Sequence, residues 1–171
     1  MEGGEPKNQT TIYAVFDYIG FFAPEIMVVI VTLALWGRSK FLLFYYLFWV
    51  LDWEWLNAKL KLYFKEPRPV DHKARNSPTA KYETFDHGHA YGMPSGHASI
   101  VFYSLTFLLL CVPEFTQYSM AAIAIVAITL FQRFKTKRHT VKQLAAGAVE
   151  GVIVANMAHW VASHLVIRRL Y

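Results

Sequence analysis

The chain has 171 residues, a length typical of one domain, and 55% of them are hydrophobic. Soluble domains usually contain about 45–50% apolar residues, and the mean hydropathy of this chain is positive, at +0.27. The formal net charge is +5, from 17 basic and 12 acidic residues. Because the basic residues flank apolar segments, the composition favours a membrane protein and argues against a nucleic-acid partner.

The first apolar segment, residues 12–36, follows a polar tail and contains a proline near its middle. We expect a short interfacial helix to about Phe22 and then a membrane helix beginning near Pro24, because proline is well placed in a first helical turn. One proline-kinked helix is the alternative. The start of the chain lacks the positively charged region of a cleavable signal peptide, so membrane insertion is expected to depend on this segment.

A second membrane helix is predicted over residues 41–64, and its second half contains ionisable side chains that should face the inside of a bundle. The polar stretch 65–96 follows, and its prolines and glycines argue against a continuous helix. Loops of this length are usually functional. Three more membrane helices are predicted over residues 98–112, 118–131 and 144–167, with a turn at Pro113-Glu114 and a basic connection at 132–142.

These elements predict an all-α integral membrane bundle of about five transmembrane helices plus a short N-terminal interfacial helix, as a single domain over residues 1–171. The loop 65–96 and the connection 132–142 are separated by two crossings, so both are expected on the same side of the membrane. The positive-inside rule places that side in the cytoplasm, although catalysis would explain several of its charges. Asn8-Gln9-Thr10, on the same side, has the pattern of a glycosylation acceptor.

Three short strings between the apolar segments combine basic residues, histidines and a glycine turn. They are Lys61-x6-Arg68-Pro69, Pro94-Ser95-Gly96-His97 and Arg133-x5-His139. Arginine binds phosphate through two parallel hydrogen bonds and lysine acts as a point charge, so Lys61, Arg68 and Arg133 are predicted to bind a phosphoryl group. With the two imidazoles, they are the groups needed to hold, attack and protonate a phosphate ester.

The remaining groups of these strings have positions suited to particular roles. Ser95 can cap the next helix, whose free N–H groups would face an anion, and Gly96 lets the backbone approach closely. His97 is then suited to protonate a leaving oxygen. His139 is the candidate nucleophile, since a neutral imidazole can attack phosphorus and form a phospho-histidine. Gln143 lies one helical turn further on, and its amide oxygen could accept the Nδ1 hydrogen of His139.

In this order and spacing, the strings resemble the signatures of the type 2 phosphatidic acid phosphatase (PAP2) superfamily: Lys-x6-Arg-Pro, Pro-Ser-Gly-His and Ser-Arg-x5-His-x3-Asp. The resemblance covers residues 61–143. It implies a metal-independent lipid phosphatase without a cofactor, whose partners are the membrane and a lipid phosphate or diphosphate. It also implies that the three cations, Ser95 and Gly96 hold the phosphate, that His97 is the acid and that His139 is the nucleophile.

Two positions depart from these signatures, because Gln132 replaces the serine and Gln143 replaces the aspartate. Gln132 replaces a hydroxyl contact to phosphate by an amide or removes it. Gln143 can fix the useful tautomer of His139, but it cannot neutralise an imidazolium. The dolichyl diphosphatase branch resembles this chain in Glu-Pro-Arg-Pro (66–69), Tyr-Gly-Met-Pro-Ser (91–95) and His-Thr-x-x-Gln (139–143). This likeness favours a polyprenyl diphosphate substrate, and in a eukaryote it implies the endoplasmic reticulum membrane with a lumenal site.

Two other functions fit the same residues: a phosphatidic-acid-type monoesterase, and a lipid-binding protein that lost turnover through Gln132 and Gln143. His72 and Asp86-His87-Gly88-His89 could suggest metal ligands, but polar loops often carry such groups and no second ligand cluster appears, so no metal site is predicted. Glu150, on about the same helix face as Gln143, is interpreted as a carboxyl satisfied within the bundle. Cys111 is the only cysteine, which excludes an intramolecular disulfide bond.

Overall fold

The computed structural model describes residues 7–69, 78–79 and 91–170, and this part of the chain is mostly helical. The helices are α1 (Lys7–Phe21), α2 (Ala23–Trp36), α3 (Lys40–Phe64), α4 (Gly96–Cys111), α5 (Ser119–Lys135) and α6 (Val141–Leu170). A short 3₁₀ turn, Pro113–Tyr118, joins α4 to α5. The all-α prediction is confirmed for the described residues.

The first apolar segment forms two helices, as the proline pattern predicts. α1 ends at Phe21, α2 begins at Ala23, and the two axes differ in direction by 61°. Pro24 lies in the first turn of α2, where its missing N–H breaks no helical hydrogen bond. The alternative of one kinked span stays open, because the two helices together are long and apolar enough to form a single broken span. The corner between α1 and α2 lies against the candidate site described below.

α5 extends further than expected. It continues to Lys135, so Gln132 and Arg133 lie in its last turn and not in a connecting loop. Glutamine, arginine and lysine are good helix formers, and their polarity led the sequence analysis to end the helix too early. The chain turns only at Lys137, which has a left-handed backbone conformation with φ of 53°.

Polar contacts position α3 against α4 and α6. Trp53 Nε1 donates to Ser99 Oγ at 2.6 Å, and Asn57 Nδ2 donates to Glu150 Oε2 at 2.8 Å. Glu150 is buried, and its Oε2 has a partner inside the bundle, but its Oε1 has no hydrogen-bond partner among the described residues, so the carboxyl is only partly satisfied. These contacts fix the rotation of the second half of α3, and they place Lys61, one turn beyond Asn57, on the same inward face.

α4 and α6 pack closely along much of their length. A β-carbon built on Gly151 of α6 would overlap the carbonyl oxygen of Ser99 in α4. Small residues allow helix backbones to approach in this way. Since α4 carries Ser95 and His97 at its start and α6 carries Gln143, this packing sets the distance between two parts of the candidate site.

Membrane crossing is supported by only part of the fold. Among the described residues, α6 is long and apolar enough to cross a bilayer over Val141–His164, and the bent α1–α2 pair also qualifies if it is counted as one span. α4 is apolar, but its 16 residues extend only about 24 Å. The prediction of about five transmembrane helices is therefore not confirmed.

We predict that Gly151→Ala lowers the stability of the purified protein, by about 1–3 kcal/mol. The added methyl group would force α4 and α6 apart, which outweighs the better helix propensity of alanine. Gly37→Ala is the matched control, because a β-carbon on Gly37 meets nothing within 4 Å. Thermal unfolding should show a lower Tm for the first variant only. A Tm at or above that of the wild type for Gly151→Ala would contradict the packing described.

Candidate active site

Lys61 and Arg68 lie in the last turn of α3 and in the segment that follows it. Their exposed fractions are only 6% and 9%. Lysine and arginine are almost never buried to this degree unless other groups compensate their charge. Their burial therefore distinguishes them from ordinary solvated cations at a helix end.

The two segments that flank the loop 70–90 are joined through their backbones. Pro67 pairs with Tyr91 in an isolated antiparallel bridge, and the Gly92 N–H donates to the Glu66 carbonyl oxygen at 2.8 Å. This pairing brings Arg68 into the region where the next segment leads into α4. The first two strings are thus held together although about 25 residues of chain separate them.

The start of α4 contains a buried hydroxyl. Ser95 occupies the N-cap position, as predicted, but the predicted capping hydrogen bond from its side chain is absent. Its Oγ is fully buried and has no hydrogen-bond partner among the described residues. Gly96 follows, and a β-carbon built there would lie 3.9 Å from the ammonium nitrogen of Lys61. A hydroxyl, a cation and a helix N-terminus therefore share one small region, which is the arrangement expected of an anion site.

His97 contacts the corner between α1 and α2. Its Nε2 lies 3.1 Å from the carbonyl oxygen of Phe21, and because a carbonyl can only accept, Nε2 carries a hydrogen. The Phe21 ring lies 5.9 Å from the His97 ring and 5.1 Å from the guanidinium carbon of Arg133, measured between centres. Phe21 was not predicted as a site residue. The sequence feature that could have indicated it is its position immediately before the break between two apolar helices.

Arg133 and His139 are brought together by the turn after α5. The Arg133 carbonyl oxygen accepts from the N–H groups of Arg138 and His139 at 3.0 and 3.3 Å. The left-handed conformation of Lys137 allows the chain to reverse at this point. The spacing of five residues between Arg133 and His139 therefore closes one compact turn, and the Arg133 side chain is only 1% exposed.

Gln143 forms a capping box with Thr140 at the start of α6. The Thr140 Oγ1 accepts from the Gln143 N–H at 3.2 Å, and the Gln143 Oε1 accepts from the Thr140 N–H at 3.3 Å. The Gln143 Nε2 donates to the Pro67 carbonyl oxygen at 2.8 Å and to Glu66 Oε1 at 3.2 Å. Because the backbone N–H only donates and the backbone carbonyl only accepts, these partners fix which end of the amide is oxygen.

The tautomer of His139 follows from these contacts. Its Nδ1 lies 3.0 Å from the Gly92 carbonyl oxygen and 3.3 Å from the Gln143 Oε1, and both are acceptors. Nδ1 therefore carries the hydrogen, and in the neutral ring Nε2 has the free lone pair. Gly92 was missed by the sequence analysis. A side chain at that position would overlap the Gln143 amide, so only glycine leaves room for it.

The basic residues and the two imidazoles interact electrostatically. Burial, followed by the charges of Arg68, Arg133 and Lys61, lowers the pKa of His139 well below its usual range. The same three cations and His139 also lie within electrostatic reach of His97. The structure therefore brings the charged and imidazole side chains of all three strings into one region.

Gln132 lies outside this cluster of contacts. Its Nε2 donates to Asp17 Oδ1 at 3.0 Å, and Asp17 Oδ2 accepts from the Thr79 N–H at 3.1 Å. Gly20 of α1 packs directly against the Gln132 side chain. Gln132 thus links α5 to α1 and, through Asp17, to Thr79. Its Oε1 is buried and has no hydrogen-bond partner among the described residues.

The possible metal ligands of the long loop, His72, Asp86, His87 and His89, lie outside the described residues. In the part of the chain that is described, no group of three histidine, cysteine or carboxylate side chains could hold a metal ion.

The model of the PAP2 superfamily matches residues 41–166 of this sequence. No curated protein and no solved structure gives a significant match. The matched region covers most of the chain and includes all three strings, so the chain belongs to the PAP2 superfamily. Members of this superfamily are phosphatases that act on phosphate esters, often lipid phosphates.

The neutral, buried state of His139 predicts a pH dependence of stability. An unfolded chain binds a proton at a histidine with a pKa of about 6.5, whereas the native protein keeps this ring neutral well below that pH. The unfolded state then binds more protons, so the free energy of unfolding should fall as the pH drops below about 6.5, by about 1 kcal/mol or more between pH 7 and pH 5.

The variant His139→Asn tests this expectation, because the asparagine amide can still donate to Gly92 but cannot titrate. Tm measured at pH 7 and pH 5 should fall more for the wild type than for the variant. An equal fall in both proteins would contradict the assignment of a neutral, buried imidazole.

Proposed function

We propose that this protein is an integral membrane phosphatase that hydrolyses a polyprenyl, dolichyl-type diphosphate through a phospho-histidine intermediate, in one catalytic domain. The observation that carries the proposal is the arrangement around His139: Nδ1–H is held by two acceptors, Nε2 keeps its lone pair, and three buried cations act on the ring. An imidazole that is kept neutral beside cations is suited to attack an anionic phosphoryl group.

Binding would use charge and backbone hydrogen bonds together. Lys61, Arg68 and Arg133 would neutralise the phosphoryl oxygens, and the Ser95 Oγ and the free N–H groups at the start of α4 would donate to them. The buried, unsatisfied Ser95 Oγ supports this role, because a hydroxyl in such a place is normally satisfied by a partner. Binding in this way requires no metal ion and no cofactor.

The reaction would proceed in two steps. In the first, the Nε2 of His139 bonds to the terminal phosphorus and the bridging P–O bond breaks. His97, which would carry hydrogens on both ring nitrogens once the negative charge of the bound substrate offsets the nearby cations, gives one of them to the leaving oxygen of the polyprenyl monophosphate. In the second, His97 takes a proton from water, the oxygen of that water bonds to phosphorus, and the P–N bond breaks. Inorganic phosphate leaves, and both histidines return to their starting protonation states.

The preference for a diphosphate is supported by residues that the chain shares with the dolichyl diphosphatase branch. Those residues lie in the strings 66–69, 91–95 and 139–143. Glu66, Pro67, Gly92, His139 and Gln143 come from these three strings and contact one another through hydrogen bonds. The shared residues are therefore linked by hydrogen bonds around the proposed nucleophile. These links are a physical reason for this chain and the dolichyl diphosphatase branch to share all of them.

A multi-pass membrane location, in the endoplasmic reticulum of a eukaryote, is supported by the outer surface of the helices. Large apolar side chains are exposed there on α2, α3, α5 and α6. They include Leu33, Trp36, Phe44, Phe48, Leu51, Trp55, Met120, Phe131, Ile153 and Trp160. Water-soluble proteins rarely expose large apolar patches, and lipid is the environment that would cover such side chains.

Phosphate release from defined lipids tests the proposal. Purified protein in detergent and EDTA should release phosphate from a polyprenyl diphosphate faster than from phosphatidic acid. The variant His139→Ala should lose at least about 10³-fold in kcat, because it removes the nucleophile. His159→Ala, on the far half of α6, is the matched control and should retain the wild-type rate.

Other outcomes would replace the proposal. An undiminished rate in His139→Ala would remove this residue as the nucleophile. Release from phosphatidic acid alone would favour the monoesterase. Headgroup binding without turnover of either lipid would favour the lipid-binding alternative.

A further inference from the structure

The family signature places an aspartate four positions after the nucleophilic histidine, and in this chain that position holds a neutral amide, Gln143. A neutral amide can orient His139, but it cannot balance the positive charge that the ring acquires when Nε2 bonds to phosphorus while Nδ1 keeps its hydrogen. A carboxylate normally supplies that balance in such pairs. Another source of negative charge lies among the contacts of Gln143.

Glu66 is the acidic group in contact with Gln143. Its Oε1 accepts from the Gln143 Nε2 at 3.2 Å, and its Oε2 accepts from the Lys142 Nζ at 2.7 Å. The Glu66 side chain is 24% exposed, so it is partly screened from water. We propose that Glu66 is a positioning residue, which supplies through the Gln143 amide the negative charge that supports His139. The proposal rests on the function proposed above.

The protonation state of Glu66 agrees with this role. The hydrogen bond from Lys142 and, to a lesser extent, that from Gln143 hold the pKa of Glu66 below its usual range against the opposing effect of desolvation. The side chain is therefore a carboxylate at neutral pH. Its charge polarises the Gln143 amide, because a carboxylate on the N–H side makes the amide oxygen a stronger acceptor for the Nδ1 hydrogen of His139.

The geometry also explains why the charge lies on Glu66 and not on residue 143. The Gln143 Nε2 faces two acceptors, the Pro67 carbonyl oxygen and the Glu66 carboxylate. An oxygen in that place would face both at close range without a hydrogen between them. An amide is therefore required at position 143, and the carboxylate lies one hydrogen bond further from the ring.

Glu66 also lies at a suitable point in the chain. It directly precedes Pro67, and its carbonyl oxygen accepts from the Gly92 N–H at 2.8 Å. The backbone of Glu66 and its side chain therefore hold the two sides of the His139 pocket, the Gly92 carbonyl and the Gln143 amide. A change that keeps the backbone and removes only the charge can separate these two contributions.

The test is a set of three variants assayed with a polyprenyl diphosphate. Glu66→Gln keeps a side-chain oxygen that can accept from Gln143 but removes the charge. Glu66→Ala removes both. Lys142→Gln is the matched control, since it deletes the exposed ion pair. Glu66 remains a carboxylate at pH 7 without Lys142, because the ordinary pKa of glutamate is about 4.3, and exposed pairs contribute little.

We expect Glu66→Gln to lower kcat about 10–100-fold, the size typical for residues that orient or polarise a reacting group without contacting the substrate. KM should stay within about threefold of the wild type, because Glu66 does not touch the substrate. Glu66→Ala should lower kcat further, and Lys142→Gln should keep kcat within about threefold, the size expected for an exposed pair.

The results separate this inference from the proposed function. If the wild-type protein released phosphate from no lipid phosphate, the proposed function would be contradicted. If the wild type were active and Glu66→Gln had an unchanged kcat, the role of Glu66 would be contradicted and the proposed function would still stand. A lower Tm with an unchanged kcat in Glu66→Gln would show that Glu66 only stabilises the fold. A loss of kcat in Lys142→Gln equal to that in Glu66→Gln would show that the ion pair, and not the charge of the carboxylate alone, supports catalysis.

Discussion

The arrangement of the site depends on the four hydrogen bonds of one buried amide. The side chain of Gln143 contacts the start of its own helix through Thr140, the imidazole of His139, and the segment after α3 through Pro67 and Glu66. His139 and Thr140 lie within four residues of Gln143, whereas Pro67 and Glu66 precede it by 76 and 77 residues. Because a buried amide is costly unless its hydrogen bonds are made, the three parts are held in one relative position.

A second constraint is electrostatic. Lys61, Arg68 and Arg133 are buried close to two imidazoles, and cations gathered in this way repel one another. Burial, together with the charges of these three cations, keeps His139 neutral. A region that gathers cations in this way also attracts an anionic group such as a phosphate.

The contacts within each of the three strings could be predicted from the sequence, because the spacing of residues along the chain is a local property. The x5 spacing of Arg133 and His139 fits one turn, and the x3 spacing of His139 and Gln143 fits one helical turn. The Phe21 carbonyl, the Gly92 carbonyl and the Glu66 carboxylate could not, because they depend on long-range packing. The N-cap position of Ser95 was predicted correctly. Its hydroxyl makes no capping hydrogen bond, and no pattern in the neighbouring residues indicates that the bond is absent.

The central claim is that His139 is the group that takes the phosphoryl from the substrate. Rapid mixing of the purified protein with a radiolabelled polyprenyl diphosphate, followed by a base quench and mass spectrometry of the peptides, would locate the covalent phosphate directly. We expect an acid-labile, base-stable phosphate on His139. Phosphate attached to His97 or to a serine, or turnover without any phosphorylated protein at early times, would contradict it.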